Sequence, residues 1–419
     1  MSDTCNSRHF SWLMKSCFPN PHDTTTPLTP ILHPQTNLSS LPDDLLLECL
    51  SRVPSSSISS LSLVCRRWSR LLLSSSFLHL RRTLHLLHPS LFAISATECG
   101  LFVASLPFQC DNASWTLPLS LPITSLSLHH IQGVLSHARA VAVGPRLYLI
   151  GRNAMVRYDT WTTTLVARSP MIFPRKKFAT AVVQGKIYVA GGGGSRAGAA
   201  AAEAVEEYDP ETDRWRVVAQ APRKRYGCVG AAADGVFYVI GGLRIGGAVG
   251  NESARGGATG AQAHVYASSI DMYDVEARGW LRSRALPGGG CVVAACAVMG
   301  QVYVLASHAV ELSFWRFEGR RKSTNGGGFG EWQRIKTPPV PSQVRLDNTV
   351  RFSCVGVGEK VVLVQVVGCI DDLLRRSGRS QQGLREGLVL VYDTVRGEWG
   401  RGAHLPELMR RAACACAEW

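Results

Sequence analysis

The sequence predicts an all-β ring, a propeller of six four-stranded blades closed by its own C-terminal strand and preceded by a small helical segment. Three observations predict it. Short apolar runs recur along residues 90–419, each followed by an aromatic residue and then a tryptophan at constant spacing. Self-similarity at a period of roughly 40 to 50 residues is the signature of propeller blades. Glycine accounts for 40 of the 419 residues and only 18% of the chain is charged, which suits a turn-rich β protein. Finally, the last ten residues read as a strand that has nothing after it to pair with.

The repeated unit is visible when the runs are set side by side: GKIYVAGG (185–192), GVFYVIGG (235–242), PRLYLIGR (145–152), GQVYVLAS (300–307) and EKVVLVQV (359–366). Each follows a small-residue strand such as FATAVV (178–183) or CVGAAA (228–233). After a loop comes an aromatic and, seven residues on, a tryptophan: Tyr208 and Trp215, Tyr273 and Trp280, Tyr392 and Trp399, Phe108 and Trp115. Proline follows tryptophan by seven again at Pro122, Pro222, Pro287, Pro339 and Pro406. Two copies are worn. Leu165 stands seven after Tyr158, with Trp161 out of place, and a glycine-rich insertion separates Phe317 from Trp332. One such meander cannot bury both faces alone, so the units pack face to face around an axis, with the tryptophan between blades. The first unit (91–122) lacks an inner strand, and RRAACACAEW (410–419) resembles one, so the C-terminal strand is expected to complete the first blade.

Ahead of the repeats the text differs. Residues 1–37 form a Pro/Ser/Thr-rich leader read as disordered, with no apolar core of a secretory signal. Then LPDDLLLECLSRVP (41–54) spells an amphipathic helix: Pro42 at the entry, Asp43 and Asp44 against the helix dipole, Leu46, Cys49, Leu50 and Val53 at helical spacing, Pro54 as the stop. A second helix is expected to carry Ile58, Leu61, Cys65, Trp68 and Leu72 on one stripe. So short a segment cannot hide that much apolar surface. Each exposed leucine forgoes roughly 1.5–3 kcal/mol of burial, so the helices must pack on each other, on the propeller or on another protein.

The apolar run, glycine pair, tyrosine and tryptophan of the repeat resemble the kelch motif, over about residues 90–419. The combination Leu41-Pro42, Leu45, Leu50, Val53-Pro54, Leu61, Val64-Cys65-Arg66-Arg67-Trp68 and Leu71 resembles an F-box, over residues 38–82. An F-box followed by a kelch propeller is an arrangement of plant proteins. The resemblance implies the substrate-recognition subunit of an SCF-type E3 ubiquitin-protein ligase. In it Leu41, Pro42, Leu45, Leu50, Val53, Val64, Cys65 and Trp68 would form or support the contact with a Skp-type adaptor. That adaptor would link the chain to a cullin-RING ligase, while the propeller binds the protein to be ubiquitinated. The alternative is a non-degradative scaffold on the same propeller.

Other functions are disfavoured by what the residues lack. GGGGSRAG (191–198) has no G-K-[ST] ending of a phosphate loop, and neither H-E-x-x-H nor G-x-S-x-G occurs. No catalytic residue, cofactor or metal site is therefore expected. The 13 cysteines are scattered without a C-x-x-C, as in a reduced intracellular protein of cytoplasm or nucleus. No apolar run is long enough to cross a membrane. The net charge of +14 fits nucleic acid, acidic protein segments or an anionic membrane as partner, or simply a basic soluble surface, and only Phe178 and Tyr226 flank the basic clusters, too few for stacking on nucleic acid. The clusters Arg175-Lys176-Lys177, Arg223-Lys224-Arg225 and Arg410-Arg411 fall in links between blades. In an up-and-down meander those links share a face with the loops between second and third strands, where the insertions 193–204, 243–265 and 368–386 fall. Arg175, Lys176, Arg223, Arg225 and Arg410 are accordingly expected on an electropositive face that binds an acidic or phosphorylated protein segment.

Overall fold

The computed structural model describes residues 38–97, 100–108, 114–116, 119–121, 138–193, 203–244, 268–308, 311–319, 330–340, 350–368 and 387–418. The leader, Pro122, and most of the three long insertions lie outside these residues. The chain divides into two compact units, Met1–Leu46 and Leu47–Trp419.

The helical segment has four α-helices where the sequence reading had two: α1 (Asp43–Ser51), α2 (Ser55–Ser62), α3 (Arg66–Leu72) and α4 (Ser75–Thr83). The first follows expectation, with Pro42 at its entry and Asp43 and Asp44 in its first turn. The expected second helix is broken. Cys65 is extended (φ −160°, ψ 163°), and its Sγ accepts the Trp68 N–H, which caps a new helix. One apolar stripe therefore never forms across Ile58 and Trp68. Ser74 caps α4 by accepting from the Phe77 N–H at 3.2 Å. Within the second unit Arg81 is buried and donates to Ser51 O, Val53 O, Ser55 Oγ and Leu86 O. It thus satisfies carbonyls left open where α1 ends, which a buried chain must do somehow.

The strands form six four-stranded antiparallel sheets, the blades. Blade 3, Ala179–Val183, Lys186–Ala190, Ala204–Asp209 and Arg214–Gln220, is the pattern for the rest. In blade 1 the C-terminal strand Ala413–Glu418 pairs with Pro89–Thr97, placing Cys414 opposite Ala93. The ring closes as the sequence implied. The constant spacing of seven is a cross-strand pair: Tyr208 lies opposite Trp215, Tyr273 opposite Trp280 and Tyr392 opposite Trp399, with ring centroids 5.0–5.2 Å apart. The insertion before Trp332 leaves the register intact, since Trp332 still faces Phe317.

Each of four tryptophans also ties its blade to the preceding one. The Nε1–H of Trp215 donates to Ser169 O, Trp280 to Gln220 O, Trp399 to Lys336 O and Trp115 to Ala403 O, at 2.7–2.9 Å. The last of these joins blade 1 to blade 6. Innermost strands meet backbone to backbone, and a side chain at Gly230 would strike the main chain of Thr180 in the neighbouring blade. Apolar clusters fill the spaces between successive blades, for example Tyr303, Phe314, Leu363 and Tyr392 between blades 5 and 6.

Candidate functional site

Two surfaces merit construction from their residues, the helical segment and the loop-bearing face of the propeller. In the first unit Leu41 is half-buried, Pro42 is exposed and Leu45 is 51% exposed. In the second unit Val53 and Trp68 are half-buried and Cys65 is exposed. Leu63 and Val64 stand out at 83% and 60% exposure. Leu50 is buried, as a residue that supports the surface from within would be. Leu63 was missed by the sequence reading, which put α2 and α3 on one continuous stripe. Once the helix breaks at Cys65, the residues before the break are thrown outward.

The far end of the helical segment packs on the propeller. Phe77 is fully buried and meets Trp161 edge-on at 5.2 Å, while Arg146 donates to Leu73 O at 2.9 Å. Trp161 is the tryptophan that broke the repeat spacing; it belongs to this contact instead of to a blade seam. Both partners sit in turns of blade 2, one next to the turn between its first and second strands and one between its third and fourth. By the alternation of the meander these turns occupy the face opposite the long loops.

The loop-bearing face has the composition expected of it, but its arginines behave otherwise. Links between blades do lie beside the second-to-third-strand loops. Lys176 forms a bridge with Gly193, and Arg225–Tyr226 pairs with Leu243–Arg244. Arg175 and Arg225, however, are fully buried. Arg175 ion-pairs with Glu206 and donates to Gly191 O and Ala204 O at 3.0 Å. Arg225 ion-pairs with Asp271 at 2.8 Å and donates to Gly241 O and Ser269 O. Each guanidinium fork thus staples both stems of a long loop to a carboxylate beneath it. Burial pushes the Arg175 guanidinium down and Glu206 pushes it back up. These two residues are structural and must be removed from the expected binding set.

The neighbouring charges are also matched. Arg223 shares Asp271, Lys224 meets Glu203 at 2.7 Å, and Lys177 lies over the Tyr226 ring at 5.3 Å. Lys176 is half-buried. Among the described residues of blades 3 and 4, Arg175, Arg223, Lys224 and Arg225 of the expected electropositive face are each paired with a carboxylate. Arg410 differs in being exposed, its side chain 57% accessible and 2.9 Å from Glu407. A signal for this was present in the text. Glu206 and Asp271 stand two residues before the template tyrosine, whereas Leu106, Val156, Trp315 and Leu390 occupy that place in the other blades. Arg175 and Arg225 each stand four residues before an innermost strand and turn inward to that carboxylate, whereas Met409 fills the same place in blade 1 and packs with Leu106.

Among the described residues no group of histidine, cysteine or acidic side chains could hold a metal ion, and no helix is long and apolar enough to cross a membrane. Comparison with known proteins adds the following. Residues 38–80 match the F-box domain and residues 174–222 the Kelch motif. An F-box/kelch-repeat protein of Arabidopsis thaliana is 65% identical over 425 residues, covering 100% of both chains. The F-box/kelch-repeat protein OR23 of the same plant is 33% identical over 46% of this chain and 49% of its own length. The F-box protein AFR, also from Arabidopsis thaliana, is 29% identical over 45% of this chain and 51% of its own.

Proposed function

Because the chain belongs to the F-box/kelch-repeat family, whose F-box implies a Skp-type adaptor, we propose that it is the substrate-recognition subunit of an SCF-type E3 ubiquitin-protein ligase. The observation that carries this is the adjacent exposed pair Leu63 and Val64 within the F-box match, 83% and 60% accessible. Two neighbouring apolar side chains exposed together inside a motif that docks on another protein favour a surface that a partner covers, and burial of each contributes roughly 1.5–3 kcal/mol. The adaptor covers them, and through it the chain joins a cullin-RING ligase. The loop-bearing face of the propeller holds the protein to be modified.

The chain contributes no chemistry of its own. It works by proximity: a target held near a charged conjugating enzyme meets it at an effective concentration of order millimolar. The reading also places the protein in the cytoplasm or nucleus, where the ubiquitin machinery operates. Co-purification tests it. Full-length chain expressed in plant cells should retain adaptor and cullin, and Leu63→Glu combined with Val64→Glu should lose both while the melting temperature stays within about 2 °C, as for an exposed site. Retention of the adaptor by that double variant, or its absence from the wild-type complex, would overturn the proposal and favour a scaffold that binds proteins without delivering them.

A further inference from the structure

Among the described residues the loop-bearing face includes a cleft of about 450 Å3, lined by Gln365, Gly368, Gly387, Pro406, Arg410 and Arg411 among others. It lies where the stems of the blade 6 loop meet the link from blade 6 to blade 1. Its size is that of a site for a small ligand or a short stretch of peptide.

Three features give it chemistry. The Gln365 side chain is 1% exposed; its Nε2 donates to Gly368 O, but its Oε1 is buried with no hydrogen-bond partner. A buried acceptor left open in this way costs free energy until a donor arrives. The inward position of Arg175 and Arg225, four residues before the innermost strand, is taken in blade 1 by Met409, which is fully buried in one apolar cluster with Leu106, so Arg410 stands one residue beyond it. Its guanidinium stays at the surface, 2.9 Å from Glu407. Arg411 is exposed, and its backbone is held in the left-handed region (φ 63°) by an N–H donated to Val366 O at 2.7 Å. The main chain that presents both guanidiniums is therefore fixed.

We propose that this cleft is a carboxylate-binding subsite for an extended acidic segment of the protein that the propeller holds. The segment's carboxylate meets Arg411 and Arg410, one of its backbone N–H groups donates to Gln365 Oε1, and an adjacent side chain lies over Leu405 and Pro406. Glu407 lines the same cleft beside Arg410, and its carboxylate opposes the nearly double charge of a phosphate more than the single charge of a carboxylate. The inference rests on the receptor reading and specifies what its target presents.

The test uses full-length chain co-purified with its adaptor and fluorescein-labelled extended hexapeptides that differ at one position. That position is Asp, Glu, Asn, Gln or phosphoserine, and binding is read by fluorescence anisotropy. Asp and Glu peptides should bind about tenfold more tightly than their amides. Arg411→Glu should abolish that preference. Gln365→Met, which keeps the shape and removes the acceptor, should weaken every peptide about tenfold. Equal binding of acid and amide, or a preference for phosphoserine, would overturn the assignment. So would a preference that emerges only after residues 369–386 are replaced by a short glycine linker, since the chain's own loop would then be the occupant. Adaptor retention is scored on the same sample, so loss of adaptor with intact peptide preference counts against the receptor reading alone.

Discussion

Replacing Arg175 separates a structural arginine from a ligand-binding one. Arg175→Met retains the length of the side chain and deletes its charge. Glu206, buried at 0% side-chain exposure, would keep only the backbone N–H groups of Ile172 and Phe173, and the carbonyls of Gly191 and Ala204 would lose their donor. Breaking a buried pair from one side costs about 3–5 kcal/mol, because the remaining charge has no solvent to turn to. At about 2 °C per kcal/mol for a chain this long, the unfolding midpoint should fall by roughly 6–10 °C. Adding Glu206→Leu should recover most of that loss, since an apolar replacement of both partners is close to neutral. Differential scanning fluorimetry of the wild type and both variants is the measurement. A single variant that melts with the wild type, or a double variant worse than the single one, would refute the reasoning and return Arg175 to the binding surface.

Four further outcomes are expected. Burial pushes the Glu207 carboxyl up, but hydrogen bonds from Tyr188, Lys186 and Arg216 outweigh it, so its pKa is held below the ordinary 4.5. A depressed carboxylate adds stability that is fully present above that ordinary value and is lost as pH falls through the folded one. The midpoint should therefore drop on acidification below pH 4.5, and Glu207→Gln should flatten that dependence. Trp399→Phe removes the 2.7 Å bond to Lys336 O and keeps the ring, and should cost about 1 kcal/mol in denaturant unfolding. Truncation after Arg410 removes the strand that pairs with Pro89–Thr97 and should abolish the cooperative transition seen by circular dichroism. Among the described cysteines, Cys49, Cys65 and Cys291 should react with a thiol reagent in the native state. Cys228 and Cys414 should not, since burial pushes both thiols up, that of Cys414 to about 12.

Blade number, ring closure and the cross-strand aromatic pairs were legible because each depends on spacing, and antiparallel register turns spacing directly into contact. Tyr208 and Trp215 must meet if both lie on one hairpin, whatever else happens. The faces were legible for the same reason, as connections alternate along a meander. What spacing could not convey was the direction of a side chain. Arg175 and Arg410 look alike in a list of basic loop residues, but Arg175 holds the inward position and meets Glu206, 31 residues later, whereas in the last link that position falls to Met409 and Arg410 stands one residue beyond it. The break at Cys65 was hidden by the helical period of the residues around it. A thiol capping a backbone N–H is a weaker signal than serine or aspartate in the same place.

The placement of Trp161 bears on how a receptor of this kind would work. Effective concentration falls steeply when the two ends of a bridging molecule move independently. Here the second unit joins its helices to blade 2 through Phe77 on Trp161 and Arg146 on Leu73, with Arg82 meeting Glu418 of the closing strand at 2.9 Å. Those contacts use turns on one side of the ring, so the long loops and the cleft by Arg411 are left on the other. A tryptophan taken out of the blade repeat thus fixes α4 to the ring, and the loop-bearing face stays open to whatever it holds. Phe77→Ala would leave a cavity against Trp161 and loosen that joint. It should reduce ubiquitination of a bound target more than it reduces binding of the adaptor or of the acidic peptides. Equal loss of all three would mean that the joint only keeps the chain folded.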